Sequence, residues 1–193
     1  ACELAQFLAR VGCRVTQLQR SSQVLKEFSK DAGTVVGQAL RDNGIDLQTE
    51  TQLHSFEPLG GDLVRVNYDW KGKSLSIETS FLFHALGRSP ATSNLGLEEN
   101  GVKLLRSGHI STNSFQQTSL DHIYAAGDCA GPHEIVHIAI KQGETAALHA
   151  FGKKVEPIHY DYLLGVVFTD PQVARVGLSL DQILERGIEP VSA

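Results

Sequence analysis

Apolar residues recur with a helical period in the first part of the chain. Residues 2–11 carry apolar side chains every three or four positions, and Gly12 follows where a glycine commonly ends a helix. A second helical pattern follows Asp31, which we expect to cap the helix, and it ends at Gly44. The apolar faces predicted for the two helices consist of Leu4, Ala5, Leu8 and Val11 in the first, and Val35, Val36, Ala39 and Leu40 in the second.

Strand patterns lie between and after these helices. Residues 15–18 and 45–47 are short β-prone runs, and residues 53–77 alternate between apolar and polar positions. The turn signals inside this alternating region are Gly60-Gly61-Asp62 and Lys71-Gly72-Lys73. Residues 81–86 are apolar except for one histidine and end at Gly87, which is the pattern of a buried parallel strand. This order of elements is typical of the second half of a nucleotide-binding α/β unit with an inserted β-meander.

The pattern changes after Gly87. Residues 88–108 are rich in Ser, Asn and Gly and predict little regular structure, whereas residues 135–151 form a long helical pattern. The residues predicted to share one face of this helix are Ile135, Ile138, Ala139, Gln142, Ala146 and His149. Short strands are predicted at residues 110–112, 123–126, 166–168 and 173–176. Finally, Ser179-Leu180-Asp181-Gln182 is a capping box that opens a last helix, which ends at Gly187.

The composition excludes several classes of protein. The 193 residues are 41% hydrophobic and carry a net charge of −5, which suits a folded chain and matches nucleic acid poorly. No apolar run approaches the ~20 residues that cross a bilayer, and no secretory signal opens the chain. We therefore expect a cytoplasmic protein without a membrane partner. The three cysteines are too far apart to predict a disulfide framework or a zinc ribbon.

The start of the sequence is unusual. The chain contains no methionine, and a helical pattern is already under way at residue 1 without a preceding capping residue. The simplest interpretation is that the sequence is a piece of a longer protein.

The most informative motif is IYAAGDCAG at residues 123–131. A strand that ends at Gly127 and Asp128 places a carboxylate at the mouth of an α/β sheet, where ligands bind. Gly127 allows the backbone to approach a ligand closely, and Asp128 can accept a hydrogen bond from a sugar-like hydroxyl. The helix that follows directs free N–H groups to the same place. The alternative is an ordinary turn in which Asp128 only caps a helix.

A second motif indicates a different chemistry. The sequence His133-Glu134-Ile135-Val136-His137 has the H-E-x-x-H spacing of zinc hydrolases, and Glu156 lies downstream as a third potential ligand. The motif has only three fixed positions, and Pro132 and the loop before it place it at the first turn of a helix. A zinc hydrolase is therefore kept as an alternative, and we predict no metal site.

Four blocks of the sequence are similar to one known family. They are ACELA at residues 1–5, ALGRSP at 85–90, TSLDHIYAAGD at 118–128 and VVFTDPQVARVGLS at 166–179. In this order and at this spacing they resemble the pyridine nucleotide-disulfide oxidoreductases, flavoproteins that include glutathione reductase, dihydrolipoamide dehydrogenase and mercuric reductase. Ala91 stands where the family usually has Asn, and none of the three cysteines fits the family's redox pair. The catalytic residues are therefore not expected in this chain.

The resemblance implies a fold and a division into domains. The fold class is α/β, with a Rossmann-like NAD(P)-binding domain that carries the inserted β-meander. Residues 1–86 would form this domain without its first strand and glycine loop. Residues 87–156 would form the C-terminal segment of the FAD-binding domain, and residues 157–193 the beginning of an α+β dimerisation domain. The whole protein is expected to be a homodimer.

The resemblance also implies a function and a set of site residues. The protein would pass a hydride from NAD(P)H to FAD and then to a disulfide, a metal ion or a similar acceptor. The alternative is a truncated nucleotide-binding module without activity. The resemblance places Glu3 and Gly87 near the nicotinamide. Around the FAD it places Arg88, Gly127, Asp128, His137 and the backbone groups of Ile135 and Val136.

The end of the second strand indicates the coenzyme. An acidic residue at this position selects NAD, and Arg selects NADP. Gln19 replaces the acidic residue of NAD-dependent relatives, and Arg20 and Lys26 match the two basic positions that grip the 2′-phosphate in glutathione reductase. We include Ser21 in the same site. The cofactors predicted are thus FAD and NADP, with NAD as the alternative if Arg20 and Lys26 are ordinary solvated charges.

Overall fold

The structure, a computed structural model of the chain, describes residues 1–131 and 133–191. The chain divides into two compact units. The first contains Ala1–Ala85 together with the described residues from Leu164 onward, and the second is Leu86–Leu163. The domain boundaries expected from the sequence, after residues 86 and 156, stay a prediction.

The first unit is built on a small parallel sheet with two helices. Helix α1 is Cys2–Arg10 and strand β1 is Thr16–Gln19; helix α2, Lys30–Asp42, then leads to strand β2, Asp46–Thr49. The two strands pair in parallel, as the intervening helix requires. Their core consists of Cys2, Ala5, Val24, Val36, Leu40, Ile45 and Leu47. The predicted helix, strand, helix, strand order is confirmed.

Two details of the helices differ from the sequence prediction. Helix α2 is capped by Ser29, whose Oγ accepts a hydrogen bond from the N–H of Ala32 at 3.2 Å, and not by Asp31. Asp31 lies in the first turn, where its charge still suits the helix dipole. In α1 the buried residues are Cys2, Ala5 and Gln6, so only one of the four residues of the predicted face is buried. The buried apolar residues of the helix are the small Cys2 and Ala5, whereas Leu4 and Phe7 are exposed.

The alternating region forms the predicted antiparallel meander. Its strands are β3, Gln52–Gly60, β4, Leu63–Trp70, and β5, Lys73–Thr79, and both turns lie where the glycines predicted them. The indole N–H of Trp70 donates to the carbonyl oxygen of Thr49 at 3.0 Å, which joins the meander to the end of β2.

The prediction of a buried parallel strand at residues 81–86 is wrong. These residues are exposed, and no strand within residues 1–131 and 133–191 pairs with them. A parallel strand exists only where a neighbouring strand takes up its N–H and C=O groups. Here the local pattern is that of a buried strand, but the neighbour is missing from the described structure.

The second unit contains one long helix and many turns. Helix α3 is Val136–Ala150, and Ile138, Gln142 and Ala146 of the predicted face are buried. Ile135, predicted on the same face, is exposed and only caps the helix. The strands predicted at residues 110–112 and 123–126 are not formed, and only isolated bridges occur there. The backbone groups of these residues form hydrogen bonds with loop residues instead. For example, the N–H of Ile110 donates to the carbonyl oxygen of Cys129. The core of this unit consists of Val102, Ile110, Ala125 and Ala130.

The last elements return to the first unit. Strand β6, Leu164–Val167, pairs in antiparallel fashion with β7, Val173–Val176, and helix α4 is Leu180–Glu185. The predicted capping box is confirmed. The Oγ of Ser179 accepts from the N–H of Gln182, and the N–H of Ser179 donates to the side-chain oxygen of Gln182. Among the described residues, no helix has the length and apolar character needed to traverse a bilayer.

Candidate functional site

The Gly127-Asp128 motif forms a tight turn in the second unit. Gly127 has a φ of +81°, a left-handed conformation that favours glycine. Its carbonyl oxygen accepts hydrogen bonds from the N–H groups of Ala130 and Gly131, at 2.9 and 3.2 Å. The turn therefore closes on itself and leaves the side chain of Asp128 outside.

A buried glutamine from α3 holds this turn. Gln142 is fully buried, and its Oε1 accepts from the N–H of Gly127 at 2.7 Å. Its Nε2 donates to the carbonyl oxygen of Gly131 and to the hydroxyl of Tyr160, both at 2.8 Å. Gln116, also buried, donates to the same hydroxyl at 3.1 Å. These residues were not predicted as functional. The available signal was a polar residue, Gln142, on the apolar face of the helix.

A cleft of about 550 Å³ lies beside the turn. Its lining combines charged and apolar groups contributed by Arg88, Asp128, Glu134, Val136, Ala139 and Ile140. Three of the predicted cofactor residues, Arg88, Asp128 and Val136, therefore meet here. Gly127 lies next to Asp128, Ile135 is the N-cap of α3, and His137 is exposed in its first turn without lining the cleft.

Two charged side chains of the cleft are available to a ligand. Neither Arg88 nor Asp128 makes an ion pair or a side-chain hydrogen bond with any other residue of the described chain. Glu134 differs, because its Oε1 lies 3.7 Å from Nε2 of His109. The beginning of α3 adds the positive end of a helix dipole. The cleft can thus hold a ligand with hydroxyl groups, an apolar face and a polar edge.

The H-E-x-x-H motif does not lie on one helix. Helix α3 begins at Val136, so His133 and Glu134 precede it and only His137 is helical. The expectation that the whole motif forms the first turn is therefore wrong, and Pro132 lies outside the described residues. The His133 ring packs 5.5 Å from the ring of Tyr160. No group of three or more His, Cys, Asp or Glu side chains within residues 1–131 and 133–191 is placed to bind a metal.

The predicted 2′-phosphate residues lie in the first unit, on the loop between β1 and α2. Val24 anchors this loop in the core with 1% exposure. Gly33 of α2 permits the close approach, because a Cβ there would lie 2.7 Å from the carbonyl oxygen of Val24. Arg20 is exposed and forms no ion pair with a described residue. Lys26 Nζ lies 3.5 Å from the carboxylate of Glu27.

Ser21 is oriented toward the loop itself. Its Oγ accepts from the side-chain amide of Gln19 at 2.7 Å and donates to the carbonyl oxygen of Gln23 at 2.8 Å. The hydroxyl proton of Ser21 is thus already used inside the loop.

Glu3 and Gly87, predicted near the nicotinamide, are found in different settings. Oε1 of Glu3 accepts from the N–H of Phe168 at 2.7 Å. One turn further along α1, the buried amide of Gln6 accepts from the N–H of Asp170 and donates to its carbonyl oxygen, at 2.7 and 2.8 Å. Gly87 is exposed with a φ of +112°. The contact of Glu3 with the segment after β6 was not predicted.

The three cysteines are free thiols. Cys2 is buried in α1, and Cys13 is exposed. Cys129 follows the Asp128 turn and donates to the carbonyl oxygen of Ala126 at 3.4 Å.

Comparison with known proteins identifies the family. The family model described as "Pyridine nucleotide-disulphide oxidoreductase" matches residues 1–143. Mercuric reductase of Bacillus cereus is 34% identical over 187 residues, which are 97% of this chain and 30% of that protein. Dihydrolipoyl dehydrogenase of Staphylococcus aureus is 33% identical over 186 residues, which are 96% of this chain and 39% of that protein.

Solved structures agree with this result. LpdA from Mycobacterium tuberculosis has a TM-score of 0.86 at 30% identity, over 96% of this chain and 39% of its own. RclA from Escherichia coli is described as an HOCl-induced flavoprotein disulfide reductase. It has a TM-score of 0.82 at 25% identity, over 95% of this chain and 41% of its own. The α/β fold is confirmed, and the chain spans 30% to 39% of the length of the two sequence relatives above. The chain belongs to the pyridine nucleotide-disulphide oxidoreductase family of FAD-dependent enzymes.

Proposed function

We propose that this chain is part of an oxidoreductase that passes a hydride from NADPH to FAD and then to a disulfide, a metal ion or a similar acceptor. The observation that carries the proposal is the cleft beside the Gly127-Asp128 turn. There, Arg88, Asp128 and Val136, three residues expected to bind the flavin, line one space. The protein with this activity is also proposed to be a cytoplasmic homodimer.

The residues of the cleft fit a flavin. The carboxylate of Asp128 is exposed and can accept hydrogen bonds from the hydroxyls of the sugar-like chain. Ala139 and Ile140 offer apolar surface to a ring system, and the first turn of α3 offers N–H groups to a polar edge. Arg88 supplies a cation for a negatively charged part of the ligand.

The chain's own contribution is to bind and to orient. When FAD is bound, the chemistry it supplies is the transfer of two electrons, as a hydride, from the reduced nicotinamide. Gln142 fixes the Gly127 turn from which the carboxylate of Asp128 projects, so this carboxylate is held in place before a ligand arrives. The dipole at the start of α3 favours negative charge at the adjacent edge of a ligand. Glu3, oriented by the N–H of Phe168, is proposed to lie near the nicotinamide with Gly87.

The preference for NADPH is proposed from the loop after β1. Arg20 offers a guanidinium group that no described carboxylate occupies, and Gln19 brings no negative charge to the end of the strand. Lys26 pairs with Glu27, but the two side chains are 62% and 72% exposed, and such pairs contribute little. A dianionic phosphate can therefore compete with Glu27 for Lys26. Ser21 can donate a hydrogen bond to the phosphate only if its hydroxyl releases the carbonyl oxygen of Gln23.

Titration with FAD tests the proposal. We expect the wild-type chain to raise the fluorescence anisotropy of added FAD. Asp128→Ala should weaken this binding about tenfold or more, because a hydrogen bond to a charged group contributes about 1.5–3 kcal/mol. The matched control is Asp121→Ala, which removes an exposed carboxylate of the same unit and should leave the binding unchanged. Equal binding by the Asp128 variant and the wild type would contradict a flavin at this cleft.

A further inference from the structure

Arg175 on β7 contacts the loop that carries the proposed phosphate-binding residues. Its Nη1 donates to the carbonyl oxygen of Glu27, and its guanidinium carbon lies 5.0 Å from the centre of the Phe28 ring. The contact joins positions 148 residues apart in the sequence. One side chain thus holds both the backbone and a ring of the segment that directly follows Lys26.

The partner strand leaves room for this contact. Gly165 on β6 faces Arg175 in the antiparallel register. A Cβ at Gly165 would lie 3.5 Å from Cγ and Nε of Arg175 and 3.8 Å from Cζ of Phe28. A single methyl group fits at this distance, but a branched side chain would occupy the space of the guanidinium and of the ring.

The loop needs this support because it has little regular structure of its own. Residues 20–29 belong to no helix or strand, and Leu25 adopts a φ of +53°, which is uncommon for a residue with a side chain. Val24 is anchored in the core, and the N–H of Phe28 donates to the carbonyl oxygen of Leu25 at 2.8 Å. Lys26 thus lies in a short turn between Val24, which is anchored in the core, and Glu27 and Phe28, which Arg175 contacts.

We propose that Arg175 is a positioning residue that determines nucleotide specificity by fixing residues 26–28, so that Lys26 meets the 2′-phosphate together with Arg20. Arg suits this role because its planar guanidinium can donate to a carbonyl and stack on an aromatic ring at the same time. The inference rests on the proposed use of NADPH. The proposal adds Arg175 of β7 to a 2′-phosphate site whose other residues lie on the loop between β1 and α2.

The test compares two probes that differ by one phosphate group, 2′,5′-ADP and 5′-AMP, by isothermal titration calorimetry on the chain. The wild type should prefer 2′,5′-ADP. Arg175→Leu should reduce this preference about threefold to tenfold, in line with the loss of one charge-assisted hydrogen bond and one cation–π contact. Binding of 5′-AMP should change little, whereas a general loss of stability would weaken both probes alike.

Two further variants distinguish the effect of the position of the Arg175 guanidinium from the effect of its charge. Gly165→Leu keeps every charge and displaces the guanidinium, and it should reduce the preference in the same direction. Arg65→Leu, on β4 of the same unit, is the matched control, because it removes an equal charge from an exposed ion pair with Glu78 on β5. It should leave the preference within about twofold of the wild type, as expected for screened surface charge.

Hydrogen exchange gives a readout independent of nucleotides. The amide of Phe28 should exchange faster in Arg175→Leu and Gly165→Leu than in the wild type, but not in Arg20→Gln. If Arg20→Gln loses the preference for 2′,5′-ADP while both Arg175→Leu and Gly165→Leu retain it, the role of Arg175 is overturned and the proposed coenzyme stands. A wild-type chain that binds both probes equally would instead overturn the proposed coenzyme, and with it the role of Arg175 in specificity.

Discussion

At the residue scale, Gln142 shows how one side chain organises a binding turn. A glutamine amide can donate and accept at once, and Gln142 uses both capacities on the two ends of the turn, Gly127 and Gly131. The third bond, to Tyr160, fills its remaining donor. An apolar side chain of similar volume would pack in the same place but would leave the turn without these partners.

We predict that Gln142→Leu destabilises the second unit by about 2 kcal/mol, because the N–H of Gly127 and the carbonyl of Gly131 lose a buried partner. The measurement is the protection of the Gly127 amide in hydrogen exchange, together with thermal unfolding followed by circular dichroism. Gln38→Leu, an exposed substitution on α2 that loses only a surface bond to Asp42, is the control and should change stability by a few tenths of a kcal/mol. Unchanged protection of Gly127 would show that the turn holds its shape without Gln142.

At the scale of single elements, the start of α2 illustrates how a cap is selected. Two residues with suitable side chains, Ser29 and Asp31, lie two positions apart. The backbone of Ser29 is not helical, with φ −59° and ψ 155°, and its Oγ reaches the N–H of Ala32. Asp31 is already helical and can act only through its charge.

We predict that Ser29→Ala lowers the free energy of unfolding of the first unit by about 1 kcal/mol, as for the loss of an N-cap. Asp31→Ala should cost only about 0.3–1 kcal/mol, and added salt should reduce its effect but not that of Ser29→Ala. Urea unfolding can be followed by the fluorescence of Trp70, the one tryptophan of the chain, which lies in this unit. A larger cost for Asp31→Ala at high salt would contradict the assignment of the cap.

The meander contains a carboxylate, Asp69, whose charge makes the stability of this sheet depend on pH. A hydrogen bond from Ser74 Oγ, at 2.7 Å, and then the contact with His54 Nε2, at 2.9 Å, lower the pKa of Asp69 below its ordinary value. Because the folded state favours the charged carboxylate, Asp69 contributes stability above the pKa of the unfolded chain, about 3.9. This contribution is lost as the pH falls through the lowered pKa of the folded state.

We therefore predict that Asp69→Asn removes part of the decrease in stability that the wild type shows below about pH 4. The urea midpoint, followed by Trp70 fluorescence from pH 2 to pH 6, should fall less steeply in the variant. Asp62→Asn, in the turn between β3 and β4, is the control and should retain the wild-type slope. A variant with the wild-type slope would show that Asp69 has no share in acid unfolding.

At the scale of the whole molecule, the exposed apolar run at residues 81–86 stands out. Phe81, Phe83 and Leu86 are 80%, 57% and 67% exposed, and the backbone of this run joins no sheet among the described residues. Exposed apolar side chains on a backbone that joins no sheet favour association with another chain.

We predict that the chain associates at high concentration and that the double substitution Phe81→Ser, Phe83→Ser reduces this association at least several-fold. Sedimentation velocity over a concentration series measures the effect. Phe151→Ser is the control, because Phe151 is as exposed as Phe81 but lies at the end of α3, outside the run. Association that depends on Phe151 rather than on the run would contradict this prediction.

Much of the fold follows from local pattern. The meander was predictable because alternation and glycine turns act between residues close in sequence, and the capping box at Ser179 is complete within four residues. The period of 3.6 predicted three buried residues of α3, Ile138, Gln142 and Ala146, but not the partners of Gln142. Membership of the family followed from motifs spread along the chain, and the comparisons confirm it.

Other features were decided only by the tertiary structure. Whether residues 81–86 form a strand depends on a neighbour, not on their own apolar character. The contacts of Glu3 with Phe168 and of Arg175 with Glu27 join residues 165 and 148 positions apart, and the sequence around either residue does not indicate its partner. The physical reason is that periodicity reflects the geometry of a single element, which every residue in it shares. A hydrogen bond between distant segments depends on how folded surfaces meet, and that is determined by the packing of the whole unit.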